Sequence, residues 1–146
     1  MSQIADRLDE ALRTVTQEVM ETMVFVEAEP VNCADCGTAG RIGARVTFHG
    51  NSSGEFRLRM SRELTHSIAA GFLGVDPEEL TAETEQQVAS ELANVLCGAI
   101  LSRLHPDSRI ALETPQPVDA AEPSDRELQQ CFETPDGPFR VAISIE

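Results

Sequence analysis

The side chains best placed to do chemistry lie between positions 87 and 98 of this 146-residue chain. Gln87, Glu91, Asn94 and Gly98 recur at spacings of four, three and four. At about 100° per residue of α-helix, those spacings keep all four within a sector of about 60°. A carboxylate and a carboxamide at i and i+3 are then neighbours on one helix face. Together they offer an anion, an amide donor and a carbonyl acceptor. Gly98, one turn on, leaves that face without a side chain. Glycine inside a helix costs about 1 kcal/mol relative to alanine. Something should offset that cost, such as another backbone or a partner approaching closely. The plainer alternative is a solvated helix face with a tolerated glycine, since Glu and Asn are ordinary on such faces.

Other candidates are weaker. Cys33 and Cys36 form a CxxC in a loop of small residues. Structural zinc takes four ligands, and one CxxC supplies two. Cys131, His49, His66 and His105 help only if the fold gathers them. A thioredoxin-like redox role wants a βαβ pattern around the motif, which is absent. A loop with two inert thiols is therefore preferred, and Cys97 reads as packing at the edge of an apolar stripe. The three histidines are scattered, one per element. Arg45, Arg57 and Arg59 read as the wet face of a hairpin.

Composition narrows the function class. The chain holds 25 Asp plus Glu against 11 Lys plus Arg, for a net charge of −14. Such a chain is repelled by phosphate backbones and anionic lipid surfaces, so neither nucleic acid nor membrane is an expected partner. All the basic residues are Arg, and the lack of Lys removes Schiff-base chemistry and a P-loop lysine. With no Trp and no Tyr, a base-stacking platform is not expected. The N-terminus lacks the basic start and apolar run of an export signal. The chain is therefore expected in the cytoplasm, with its four Cys reduced.

These residues need elements to hold them. Ile4, Leu8, Leu12, Val15, Val19 and Met23 recur at helical spacing and predict a helix over 3–23. Residues 23–28 read as a strand ended by Pro30. Ile42, Ala44, Val46 and Phe48 alternate with polar or small residues, as do Phe56, Leu58 and Met60 after a Gly/Asn/Ser turn. That is a hairpin with one wet face. Ser61 caps a helix over 62–73, burying Leu64, Ile68 and Phe72, with Gly74 as its stop. Asp76 to Glu79 forms a single turn. Thr81 caps the longest helix, about 82–104, whose apolar stripe is Val88, Leu92, Val95, Leu96, Ala99 and Ile100. Pro106 ends it. Strands follow at 109–113, 126–133 and 139–145, the last two joined by a Pro-Asp-Gly turn. One domain over 1–146 is expected, an α+β fold with a largely antiparallel sheet, an N-terminal helix, and two central helices packed on the sheet.

The run Glu91-Leu92-Ala93-Asn94-Val95-Leu96-Cys97-Gly98 resembles the Glu-x-x-Asn-x-x-x-Gly signature of the CheC/CheX/FliY chemotaxis phosphatases. The resemblance extends over roughly 15–145, through Met23 to Pro30, Gly54 to Ser61, Ala69 to Gly74, and Thr114 to Pro117. The signature occurs once, since Glu18 is followed at +3 by Glu21. A single site is similar to the CheX branch. Two departures stand out: Gln87 where many members carry an acid, and Ala99 where many carry Asn.

The resemblance implies hydrolysis of the aspartyl phosphate on a CheY-like response-regulator receiver domain. Asn94 would place a water in line with the leaving carboxylate. Glu91 would pair with the receiver's lysine and set its register. Gln87 and Gly98 would meet the partner on the same face. No cofactor or metal of the chain's own is implied, and Mg²⁺ is expected on the receiver. The rival is a CheX-like module that binds a receiver or scaffold without catalysis, which Gln87 and Ala99 favour. CheX-like relatives can pair through their sheets, so a homodimer built on the terminal strands is expected beside the monomer. Glu83, Glu85 and Glu91 share the long helix, and Arg103 lies near its far end.

Overall fold

The computed structural model describes residues 3–32, 42–74, 76–107, 109–117 and 128–145. Their order is α1 (Gln3–Met23), β1 (Glu29–Val31), β2 (Ile42–Gly50), β3 (Gly54–Met60), α2 (Arg62–Leu73), a 3₁₀ turn (Pro77–Glu79), α3 (Ala82–Leu104), β4 (Ile110–Leu112), β5 (Gln116–Pro117), β6 (Leu128–Thr134) and β7 (Gly137–Ile145). The Cys33–Cys36 motif and most of the Pro117–Ser124 loop lie outside the described residues.

The alternating run of β2 and β3 pairs in register from Ile42↔Met60 to Phe48↔Gly54. Ala44, Val46, Phe48, Phe56, Leu58 and Met60 all turn to the core. β7 extends the sheet from the other side of β3. The strand order is β1-β6-β7-β3-β2-β4, with β5 also on β2, and every pairing is antiparallel. The three helices pack on this sheet, and α3, against β2 and β3, contacts both α1 and α2. At the β6–β7 end, Phe132 and Phe139 stack with centroids 4.8 Å apart. The turn between those strands is closed by the Thr134 hydroxyl donating to the Gly137 carbonyl (2.8 Å).

Several expectations need correction. The strand read over 23–28 is not there. α1 runs to Met23, and Phe25 then takes a left-handed backbone (φ 58), which no extended strand accepts. The first strand is instead Glu29–Val31, and Pro30 lies inside it, opposite Phe132. β1 is an edge strand, the place in a sheet where a proline without an N–H is tolerated. The C-terminal strand is not available for pairing with a second copy, because β3 and β6 occupy both its edges. Phe72 and Val95, expected in the core, are 42% and 36% exposed. Cys131, expected as a thiol, is disulfide-bonded.

Candidate functional site

α3 is set by its two ends and its buried face. The Thr81 hydroxyl accepts from the Thr84 N–H (3.1 Å), and the helix stops at His105, before Pro106. Val88, Ala89, Leu92, Ala93, Leu96, Cys97, Ile100 and Leu101 are buried. Two polar ties fix the helix about its axis. The Gln86 amide donates to the Gly43 carbonyl at the start of β2 (2.8 Å). Glu85, buried, pairs with His66 of α2. Glu85 therefore adds no acid to the outer surface: a buried carboxylate needs a partner, and His66 is that partner.

With that face locked, the opposite one is fixed. Gln87, Glu91 and Asn94 are exposed, and Gly98 is half-buried. The structure thus brings all four expected site residues onto one face of α3. Among the described residues, neither Glu91 nor Asn94 makes a side-chain hydrogen bond or an ion pair. Ala99 turns toward the core and packs against it, so its departure from the signature leaves the exposed face unchanged.

Among the described residues, nothing requires a glycine at 98: a Cβ added there would meet only the Leu112 Cδ1, at 3.7 Å, an ordinary contact. Cys97, beside it, is a buried thiol whose pKa burial pushes up from 9.0 to about 12. It therefore offers no thiolate to the site near neutral pH.

Two hollows flank the exposed face. One, of about 300 Å³, is lined by Phe72, Thr84, Gln87, Val88 and Glu91. The other, of about 140 Å³, begins at Gly98 and is lined by His105, Pro106, Ile110 and Leu112 among others. Sequence reasoning missed Phe72 and Val95 as surface groups. Both obey helical spacing, and spacing alone does not say where a neighbouring element ends.

The other candidates are dispersed. His49 faces Glu113 (3.7 Å), and His105 lies 3.5 Å from the Ser52 hydroxyl. Arg45 and Arg57 both contact Glu55 (3.3 and 3.4 Å). Among the described residues, no group of three or more His, Cys, Asp or Glu is placed to hold a metal ion. No described helix is long and apolar enough to cross a membrane.

The fold has solved counterparts. A CheX chemotaxis protein from Vibrio vulnificus is 19% identical, with a TM-score of 0.71 over 99% of this chain and 97% of its own. A CheC-like superfamily protein from Shewanella sp. PV-4 is 22% identical, with a TM-score of 0.73 over 100% and 99%. CheX of Borrelia burgdorferi, solved as a CheX–CheY complex with BeF3 and Mg²⁺, is 17% identical, with a TM-score of 0.68 over 99% and 98%. A comparison with curated proteins returned no match. The family model for the chemotaxis phosphatase CheX matches residues 42–135, which run from the start of β2 through α3 to the end of β6. On that match, with the fold to go with it, this chain belongs to the CheX family of chemotaxis phosphatases.

Proposed function

We propose that the protein hydrolyses the aspartyl phosphate of a CheY-like receiver domain, using the Glu91–Asn94 pair of α3. One observation carries this reading. An acid and an amide stand side by side, open to solvent and unengaged by the described remainder of the chain, on a helix inside the matched family region.

An acyl phosphate needs little covalent help. Water attacks phosphorus, the bond from phosphorus to the aspartyl oxygen breaks, and the carboxylate leaves with the bonding pair. Orthophosphate is the other product, and the proton given up by the attacking water ends on one of its oxygens. What limits the rate is a water held in line with the leaving oxygen. The Asn94 carboxamide accepts from that water through its carbonyl and donates through its amide. Glu91, one turn back, is the anchor: its carboxylate meets the receiver's lysine and fixes the approach. Mg²⁺ belongs to the receiver and neutralises charge on the phosphoryl oxygens. Receivers of this kind work in the cytoplasm, and so would this chain.

The test is phosphoryl loss from a cognate phospho-receiver with Mg²⁺, with and without this protein. Acceleration by the wild type is expected, and Asn94→Ala should lose it by about 100-fold. Undiminished acceleration by Asn94→Ala would remove the role given to that residue. Binding of the phospho-receiver without acceleration would select the non-catalytic module, the reading that Gln87, on the exposed face, favours.

A further inference from the structure

Phe72 is an anomaly of packing. Helical spacing from Leu64 and Ile68 puts it on the buried face of α2, and both of those residues are buried. Yet Phe72 is 42% exposed, at the last turn before the left-handed Gly74 cap (φ 65). An aromatic ring left in water forgoes the stabilisation its burial would bring. Among the described residues its neighbourhood is uncrowded, since an added Cβ at Gly71 or Gly74 would meet none of them within 4 Å. The ring does not point to an arbitrary place. It lines the same hollow as Gln87 and Glu91.

The hollow joins a longer strip. Glu83, Gln87, Glu91 and Val95 follow one another at i+4 on α3, so they form a single ridge. All four are exposed, and Val95 is the large apolar one among them. The strip thus has an apolar residue on either side of Glu91. Its surroundings are acidic. Asp76, Glu78 and Glu79, just beyond the α2 cap, are exposed, as is Glu83. His66, the nearby base on α2, is engaged by Glu85. A partner for this surface must bring an apolar side chain for the Phe72 hollow and positive charge around it.

We infer that Phe72 is a positioning residue: it seats an apolar side chain of the receiver domain beside Glu91, while the acidic rim meets basic groups on that same receiver. This rests on the phosphatase reading above and names the contact that gives it partner affinity. Apolar contact in the hollow supplies the affinity, and the charges supply orientation. Phe72 touches no reacting atom, so its removal should weaken docking and spare the chemical step.

The experiment uses the intact protein and a CheY-like receiver, phosphorylated for rates and loaded with BeF3 and Mg²⁺ for binding. Phe72→Ala is expected to raise both KM and the Kd for the loaded receiver about tenfold, with kcat within about twofold of wild type. Phe72→Leu should recover most of the loss. Thermal unfolding is followed for both variants, and a melting temperature near wild type separates docking from folding. Unchanged KM and Kd in Phe72→Ala, with the wild type still active, would overturn this proposal alone. A fall in kcat at unchanged KM would overturn it too, because the ring would then act on the chemistry. A wild type that neither binds nor accelerates would overturn the phosphatase reading and this contact together.

Discussion

The two faces of α3 obey different constraints. On one, Val88, Leu92, Leu96 and Ile100 are buried against the sheet and the flanking helices, and Glu85 and Gln86 are tied to His66 and Gly43. Every residue type there is explained by something else in the chain. On the other, Gln87, Glu91, Asn94 and Val95 face solvent, and Gly98 is glycine where its own chain leaves room for a side chain. The inner face is explained by folding alone. The outer face is not, and residues that folding leaves unexplained are those a partner can account for. The contrast also separates two kinds of apolar residue. Leu96 is apolar because it is buried, whereas Phe72 and Val95 are apolar although they are not.

The largest effect that distinguishes the faces is on stability. Leu96→Ala is expected to cost about 2–5 kcal/mol, through lost transfer energy and the cavity left in a close-packed core. Asn94→Ala, two residues away, should stay within about 0.5 kcal/mol of wild type or gain slightly. Urea unfolding of the two variants reads this directly. Comparable losses in both would mean that Asn94 serves the fold and that the division between faces is false.

Gly98→Ala is the next sharpest probe, because its two expected effects oppose each other. In the helix it should gain about 1 kcal/mol of stability. The added Cβ meets Leu112 only at contact distance, so no strain is expected to cancel that gain. On the receiver-facing surface the same methyl should weaken association, measured as a higher Kd for the BeF3-loaded receiver. A variant that is both more stable and poorer at binding marks Gly98 as a residue kept for the partner. A destabilised variant would return its cause to the chain.

What was legible in the sequence follows the same division. Period two in Ile42–Phe48 and Phe56–Met60 yields the β2–β3 hairpin and its inward face, because both strands bury one side against helices. Ser61, Gly74 and Thr81 mark helix ends through local bonds that involve only near neighbours. The Glu91/Asn94 face was legible for the same reason, since one helix carries it all. Long-range facts were not. That β7 lies between β3 and β6 depends on pairing order, which alternation does not encode. Glu85 reads as one acid among many until α2 brings His66 to it. Phe72 has the spacing of a core residue, but its turn of α2 lies outside the core. At α1 the helix runs to Met23, and Phe25 adopts a backbone that glycine ordinarily takes, 86% exposed. Nothing in its residue type signals this, and the strand therefore begins at Glu29.

The smallest expected effect lies at the seam between the faces. Cys97 precedes Gly98 and is fully buried, and burial raises its pKa from 9.0 to about 12. Between those values the folded chain keeps a proton that the unfolded chain has lost. The unfolded state then binds fewer protons, so stability falls as pH rises, by up to about 1.4 kcal/mol per pH unit for this one group. Below pH 9 the thiol is protonated in both states and contributes no slope. Urea unfolding from pH 8 to 10 should therefore decline more steeply in wild type than in Cys97→Ala. The variant carries a constant loss from the missing sulfur at every pH. Equal slopes would mean that the thiol ionises as readily in the folded chain as in the unfolded one. Water would then reach the inner side of α3 at Cys97, and the boundary between its faces would lie deeper than Gly98.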